Sequence, residues 1–338
     1  MELSTFHYNC DDFTFQLNNN NTINSKFDDL IENKWKQAEK NSVFKYKLNI
    51  IKSKYLQGNY GFIAQLNLDR AKNRRTPEDI TSMKKSFDKN RFNFTKIKNE
   101  EIFFDVGDGT GSDVIIANVS PLEYGHCLFI PDRFKELPQV VTKTSIIKVV
   151  ELFLCSQSTY LRLIFNSLCA HASVNHHHWH FYYLKYRMLL ENIETDKFAG
   201  PLEVLKNYPA KGFCLKLSSF NNDPEKFALI GFKIINYLQD NEISHNIYIT
   251  RAFKSSTSDK IIFDDVRMYI WARKSSFGIK DTTGFIPAVC ELFGHLTIRT
   301  EEGYDNLTEN TVAEILDDVT TEIYNKVKDD VKKLIDDC

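Results

Sequence analysis

Residues His176-His177-His178-Trp179-His180 place four of the chain's nine histidines in one unbroken stretch. Phe181-Tyr182-Tyr183-Leu184 follow, and an aromatic, apolar run of this kind favours an extended strand. Alternate side chains of a strand face opposite ways, so His176, His178 and His180 line one surface while His177 and Trp179 point to the other. A neutral imidazole offers one lone pair and one N–H, and its unperturbed pKa of about 6.5 lies near cellular pH. Such a wall can attack, donate or ligate. A metal site would find no Cys or carboxylate cluster beside it. A purely structural role would leave three buried imidazoles to satisfy. The pattern favours the third reading, a histidine nitrogen attacking phosphorus to form a phosphoramidate, which splits one transfer into two easier ones. Asn166-Ser167 and Ser173-Val174-Asn175 stand just ahead of the histidines, and their short polar side chains and N–H groups suit phosphate oxygens.

Ser173-Val174-Asn175-His176-His177-His178-Trp179-His180 resembles the histidine-triad motif, in which His-x-His-x-His follows a serine three positions upstream. Gly125-His126-Cys127-Leu128-Phe129-Ile130-Pro131, within the segment 118–131, resembles the Gly-His-x-Leu-x-x-Pro strand that precedes the triad in that superfamily. Other segments narrow the match: Tyr60 to Asn67 with Arg70, Arg74 and Arg75; Phe92 to Lys96; Asn246 to Arg251; Trp271 to Asp281; and Cys290 to Leu296. Together they resemble the GDP-D-glucose phosphorylase family of animals, relatives of the plant GDP-L-galactose phosphorylases, over roughly residues 27 to 315.

The resemblance implies a mechanism and a set of residues. His178 matches the family's nucleophile and would take guanosine monophosphate onto its ring, expelling glucose 1-phosphate; inorganic phosphate would then release GDP. His176 would hold the nucleophile's other nitrogen in one tautomer, directly or through backbone, and His180 would lie near the transferred phosphoryl or the leaving oxygen. Asn166 and Ser173 are assigned to the phosphates. Arg273 and Lys274 would be countercharges for the diphosphate or the acceptor, or else salt-bridged structural residues. Asn67 and Arg70 are further substrate candidates; Arg70 opens the basic cluster Arg70-Ala71-Lys72-Asn73-Arg74-Arg75, which reads equally as a solvated loop. Neither metal nor cofactor is expected; the partners are a GDP-hexose and inorganic phosphate. Two alternatives stay open: a histidine-triad nucleotide-sugar hydrolase, with water as acceptor, and a guanine-nucleotide-binding protein without catalysis. The chain departs from the family pattern at Cys169-Ala170-His171, where glycines are usual, at His177, where an aliphatic residue is usual, and at Trp179, in place of leucine.

The elements that must position these residues form an α+β fold: a histidine-triad-like antiparallel sheet with flanking helices, which the resemblance implies is built as two similar halves. The expected organisation is a partly flexible segment 1–26 containing Asn18-Asn19-Asn20-Asn21, a catalytic half 27–205, and a second half 206–338 beginning at the Pro- and Gly-punctuated stretch Lys206 to Gly212. No internal sequence repeat is visible. Helical spacing appears over Phe27 to Ala38, over 144–165, over Pro224 to Leu238, and in a long C-terminal helix with Thr311-x-x-Glu314 as a capping box. Strand patterns appear at Tyr60 to Asn67, Asp113 to Pro131, Gly212 to Leu217, Asn246 to Thr250 and Val266 to Ala272.

Composition bounds the rest. A chain of 338 residues that is 42% hydrophobic can bury a substantial core. A net charge of −2 argues against a nucleic-acid partner, whose footprint is usually basic. Seven scattered cysteines without CxxC spacing point to reduced thiols rather than a disulfide framework or zinc ribbon. The N-terminal residues lack a basic region followed by an apolar core, and no run of eighteen apolar residues occurs, so a soluble cytoplasmic protein without a membrane partner is expected.

Overall fold

The computed structural model describes residues 3–18, 25–73, 78, 80–253, 261–276 and 284–337. Strands β1 (Thr5–Phe6) and β2 (Leu17–Asn18) precede helix α1 (Lys26–Lys40). Ser25 starts this helix: Asp28 N–H donates to its hydroxyl and the Asp28 carboxylate accepts in return from the Ser25 amide, a reciprocal cap. Phe27, Ile31, Trp35 and Ala38 form its buried stripe. Next come β3 (Lys52–Tyr55), β4 (Ile63–Leu66), α2 (Leu68–Asn73), β5 (Ile102–Val106), β6 (Val114–Ala117), β7 (Cys127–Ile130), α3 (Lys143–Leu154), β8 (Leu161–Asn166) and β9 (Trp179–Tyr183). The chain continues through β10 (Thr195–Ala199), β11 (Leu202–Leu205), β12 (Phe213–Lys216), α4 (Pro224–Asp240), β13 (His245–Ala252), β14 (Ile262–Phe263) and β15 (Asp265–Ala272). It closes with α5 (Val289–Leu292), β16 (His295–Ile298), α6 (Glu301–Asn306) and α7 (Glu309–Asp336).

Eleven strands form the main sheet in the order β1-β5-β6-β7-β9-β8-β13-β15-β12-β11-β10, antiparallel throughout except for the short edge pair β1–β5. The order contains a duplication. Strands β5, β6 and β7, a helix (α3), then β8 and β9 lie as β5-β6-β7-β9-β8; β10, β11 and β12, a helix (α4), then β13 and β15 lie as β10-β11-β12-β15-β13. Each repeat is a three-stranded meander followed by a helix-linked hairpin, and the repeats meet at the antiparallel pair β8–β13, with Asn166 opposite Asn246. The two halves implied by the family resemblance are thus present as topology. The chain passes between them in the connection after β9, so β10 and β11 complete the second repeat and Lys206 to Gly212 form the turn between β11 and β12.

One face of the sheet is covered by α1, α3, α4 and the last turns of α7, with Trp179, Phe181, Phe165 and Ile249 among the residues pointing into that core. The other face carries Tyr182, Ile164, Tyr248 and Trp271 under a small sheet β16-β4-β3, helix α5 and the first turns of α7. Alternation along β9 therefore separates Trp179 and Phe181 from Tyr182, as the period of two requires.

Two expectations are corrected here. The helix over 144–165 ends at Leu154, and Leu161 to Asn166 form the central strand β8. That strand is buried on both faces, and such a strand reads as a nearly continuous apolar run that periodicity cannot separate from helix. The C-terminal helix is capped by Thr308, not Thr311: its hydroxyl accepts from Thr311 N–H, and the turn this adds buries Glu309, whose carboxylate accepts from the amides of Asn59 and Tyr60 at 2.7 Å each. No helix among the described residues is long and apolar enough to cross a membrane.

Candidate active site

The cleft opens on the second face of the sheet, at the ends of β7, β8 and β9. Its volume is about 520 Å³, and His178, His180, His126, Asn166, Asn67 and Arg70 lie in its wall. His178 and His180 share that wall as alternation demands. His176 does not: the regular strand begins at Trp179, and the His176 ring is fully buried behind the cleft, its Nδ1 accepting from the Phe94 amide at 3.0 Å. The Phe94 ring lies 5.5 Å from His176 and 5.1 Å from His178, filling the space between them. His177 points into the helical side of the sheet, edge-on to Phe165.

Hydrogen bonds assign the tautomers. His178 Nδ1 lies 2.7 Å from the carbonyl oxygen of His176, which can only accept, so Nδ1 carries the proton and a neutral ring has its lone pair on Nε2. His176 therefore holds its neighbour through backbone. His126 Nδ1 accepts from the Leu122 amide at 2.9 Å, which puts the proton of a neutral His126 on Nε2. That nitrogen is 3.0 Å from His180 Nδ1 and 3.0 Å from Asn118 Nδ2. Only His180 can accept it, because the Asn118 amide is turned with its oxygen toward the Ser120 amide. His180 is then left with its proton on Nε2. One ring offers a lone pair and its neighbour, 5.0 Å away between centroids, offers a donor.

Burial keeps His126, His180 and His176 neutral. Loss of water, then the charge of Arg70 and the nearby imidazoles, pushes His126 well below the usual histidine range. Burial, His178, His126 and Arg70 do the same to His180. Burial lowers His176 to about 4.

Side-chain N–H donors surround the rings. Asn166 Oδ1 accepts from Asn246 Nδ2 at 2.8 Å and from the Val289 amide at 3.2 Å, an orientation that reserves its Nδ2 as a donor. Asn67 Oδ1 accepts from the Arg70 amide at 2.9 Å, while its buried Nδ2 has no partner among the described residues. The Arg70 guanidinium reaches the Ser120 carbonyl and the Tyr46 hydroxyl. Ser173 also lies in the cleft wall, in a loop that passes through left-handed backbone at Cys169 (φ +57°) and His171 (φ +70°). Glycine adopts this conformation freely; a side chain there costs about 1–3 kcal/mol, and such strain concentrates at functional sites. The loop keeps a glycine-like path without glycine.

Arg273 and Lys274 lie outside the cleft wall. Arg273 is buried behind it, donating to Asn246 Oδ1 at 3.2 Å and the Lys274 carbonyl at 3.0 Å, with its other terminal nitrogen 3.4 Å from His171 Nε2. It meets the cleft wall from behind at His171 and at the Pro287 carbonyl, and it also holds Asn246, which orients Asn166. Lys274 is ion-paired with Asp318 (2.8 Å) and Glu322 (3.5 Å) on α7. Arg74 and Arg75, and residues 277–281 of the segment Trp271 to Asp281, lie outside the described residues. Sequence reading did not single out His126, Asn118, His171, Arg299 or Gln139 as site residues. The segment 118–131 carried a signal for His126 and Asn118; His171 and Arg299 reach the cleft wall, and Gln139 the back of His178, only through tertiary contacts. Among the described residues, no group of three or more His, Cys, Asp or Glu is arranged to hold a metal ion.

The model of the GDPGP1-like N-terminal domain matches residues 26–182, and that of the GDPGP1-like C-terminal domain matches residues 188–338. GDP-D-glucose phosphorylase 1 of Homo sapiens is 37% identical over 305 residues, covering 87% of this chain and 79% of the relative. The protein of the same name from Danio rerio is 34% identical over 325 residues, 93% of each chain. GDP-L-galactose phosphorylase 2 of Arabidopsis thaliana is 32% identical over 320 residues, covering 86% of this chain and 72% of the relative. Among solved structures, yeast Ap4A phosphorylase Apa2 in complex with Ap4A has a TM-score of 0.62 at 15% identity, covering 88% of this chain and 97% of its own, which shows a shared fold. Matched along both domains, and with relatives of this identity across most of its length, the chain belongs to the GDPGP1-like family.

Proposed function

We propose that this chain is a nucleotidyltransferase that moves the guanylyl group of GDP-D-glucose through a histidine to inorganic phosphate, giving GDP and glucose 1-phosphate. The names of its relatives supply the substrate class. The observation that carries the chemistry is the contact between His178 Nδ1 and the His176 carbonyl, which presents Nε2 as the nucleophile. In the first step Nε2 forms a bond to the phosphorus next to guanosine, and the bond from that phosphorus to the bridging oxygen breaks. The electron pair leaves with glucose 1-phosphate. In the second step an oxygen of inorganic phosphate attacks the same phosphorus, the N–P bond breaks, and GDP departs with the ring restored. A neutral imidazole suits this attack because the anionic diphosphate repels an anionic nucleophile.

His180 Nε2–H is assigned to the oxygen that leaves in the first step and attacks in the second. Asn166 and Ser173 are assigned to the guanylyl phosphate, and Asn67 with Arg70 to the departing and incoming phosphate. Leaving group and acceptor occupy one place in a double displacement, both opposite the nucleophile, so a single cationic corner serves both steps. A cytoplasmic setting completes the reading, supported by the free thiols among the described cysteines.

The test is a single-turnover reaction with GDP-glucose and no phosphate, quenched in alkali. The protein should gain the mass of one guanylyl group on the peptide containing His176 to His180, labile in acid and stable in base, and added phosphate should discharge it as GDP. Discharge as GMP by water at the same rate would replace the phosphorylase by a hydrolase. Binding without any product would leave a nucleotide-binding protein.

A further inference from the structure

The pairing of β8 with β9 runs from Leu161 opposite Tyr183 to Ile164 opposite His180. Continued in the same register, it would bring Phe165 opposite Trp179 and Asn166 opposite His178. The ladder stops short of that rung, and a side-chain amide stands in its place. The His178 amide donates to Gln139 Oε1 at 2.8 Å. Gln139 Nε2 donates to the His178 carbonyl and to the Asn166 carbonyl, each at 3.0 Å. Gln139 is buried, and its own amide donates to Asn175 Oδ1 at 3.0 Å, which ties it to the phosphate-side loop as well.

The geometry points to Gln139 as a positioning residue for the nucleophile: its amide is a wedge that takes the missing rung of the sheet and sets the separation of His178 and Asn166. A glutamine amide has one acceptor oxygen and two N–H groups, and this site uses the oxygen and both hydrogens. Glutamate would turn an acceptor toward two carbonyls, and asparagine is one methylene too short. Direct strand pairing would close the ends of β8 and β9 together, where the cleft now opens. The role follows from position: Gln139 lies behind the strand ends, outside the cleft wall, and acts on substrate only through the residues it holds. A shift of about 1 Å at a reacting atom lowers a rate by roughly a hundredfold.

This inference rests on His178 as the nucleophile, so the test separates the two claims. Guanylylation is followed by rapid quench in the wild-type protein, Gln139→Glu and Gln139→Met at saturating GDP-glucose. The rate of adduct formation should fall about a hundredfold in both variants, with the GDP-glucose dissociation constant within threefold of wild type. Nitrogen-15 NMR of labelled histidine should show His178 in one Nδ1–H tautomer in the wild type and a mixture in the variants, a change that simple destabilisation would not produce. If the wild type forms no adduct, the nucleophile reading fails whatever Gln139 does. If the wild type forms it and folded variants form it as fast, or lose rate only in proportion to weaker binding, the wedge is refuted and the nucleophile stands. Should neither variant fold, hydrogen exchange of the wild type decides. The His178 amide should exchange as slowly as the ladder amides of β9, and fast exchange overturns the proposal.

Discussion

His126 Nε2 lies 3.0 Å from His180 Nδ1, bridging neighbouring strands of the main sheet where Leu128 is opposite His180. Because the Leu122 amide occupies His126 Nδ1, this contact has one polarity: His126 donates and His180 accepts. The proton of His180 is thereby held on the nitrogen available to substrate.

His126→Phe removes that polarity while keeping an aromatic ring in the space. His180 can then take either tautomer, and kcat should fall ten- to a hundredfold while KM for GDP-glucose changes little. Steady-state kinetics with phosphate saturating decide it; a fall in kcat/KM due to KM alone would place His126 in binding rather than in orienting the donor.

His178→Asn removes the atom proposed to attack phosphorus but leaves the strand and the cleft. Turnover should drop by several orders of magnitude, as for other covalent nucleophiles, with GDP affinity within a few-fold and an unchanged melting temperature. Calorimetric binding beside an activity assay checks both halves of the statement.

His177 is fully buried on the helical side of the sheet, and neither ring nitrogen has a partner among the described residues. An unsatisfied buried polar atom costs about 1–3 kcal/mol. His177→Leu should therefore stabilise the protein by an amount of that order and leave kcat unchanged, since the ring faces away from the cleft. Urea unfolding measures the gain; a loss of stability would mean that the ring is better accommodated than its hydrogen bonding shows.

Stability should also fall in acid. Burial lowers His177 and His295 to about 3 and His245 to about 4, whereas the unfolded chain titrates near 6.5. Between those limits the unfolded state binds protons that the folded state does not, so stability is full above pH 6.5 and is lost as pH falls toward the folded values. Each of these rings should remove about 2 kcal/mol by pH 5. Unfolding measured from pH 8 to pH 5 should show this decline, shallower in His177→Leu than in the parent; equal slopes would exclude His177 as a contributor.

The local pattern determined a good deal. Residue type and a period of two separate His178 and His180 from His177 and Trp179, because a strand's alternation is a property of the backbone itself. Apolar spacing likewise marks α1, α4 and α7, whose stripes face the sheet. Tertiary structure decided what depends on register and on which segments meet. Leu161 to Asn166 became a strand because they lie between two covered faces, a fact absent from their own apolar run. His176 left the wall because the strand begins three residues after it. Arg273 was drawn behind Asn246, and Lys274 out to Asp318 on α7, by the way β15 and α7 pack. Gln139 carries no motif, and it meets His178 only because the β8–β9 ladder breaks there. The duplicated strand order is invisible in residue identities, since what the halves share is the path of the backbone, and many side-chain sets bury the same path.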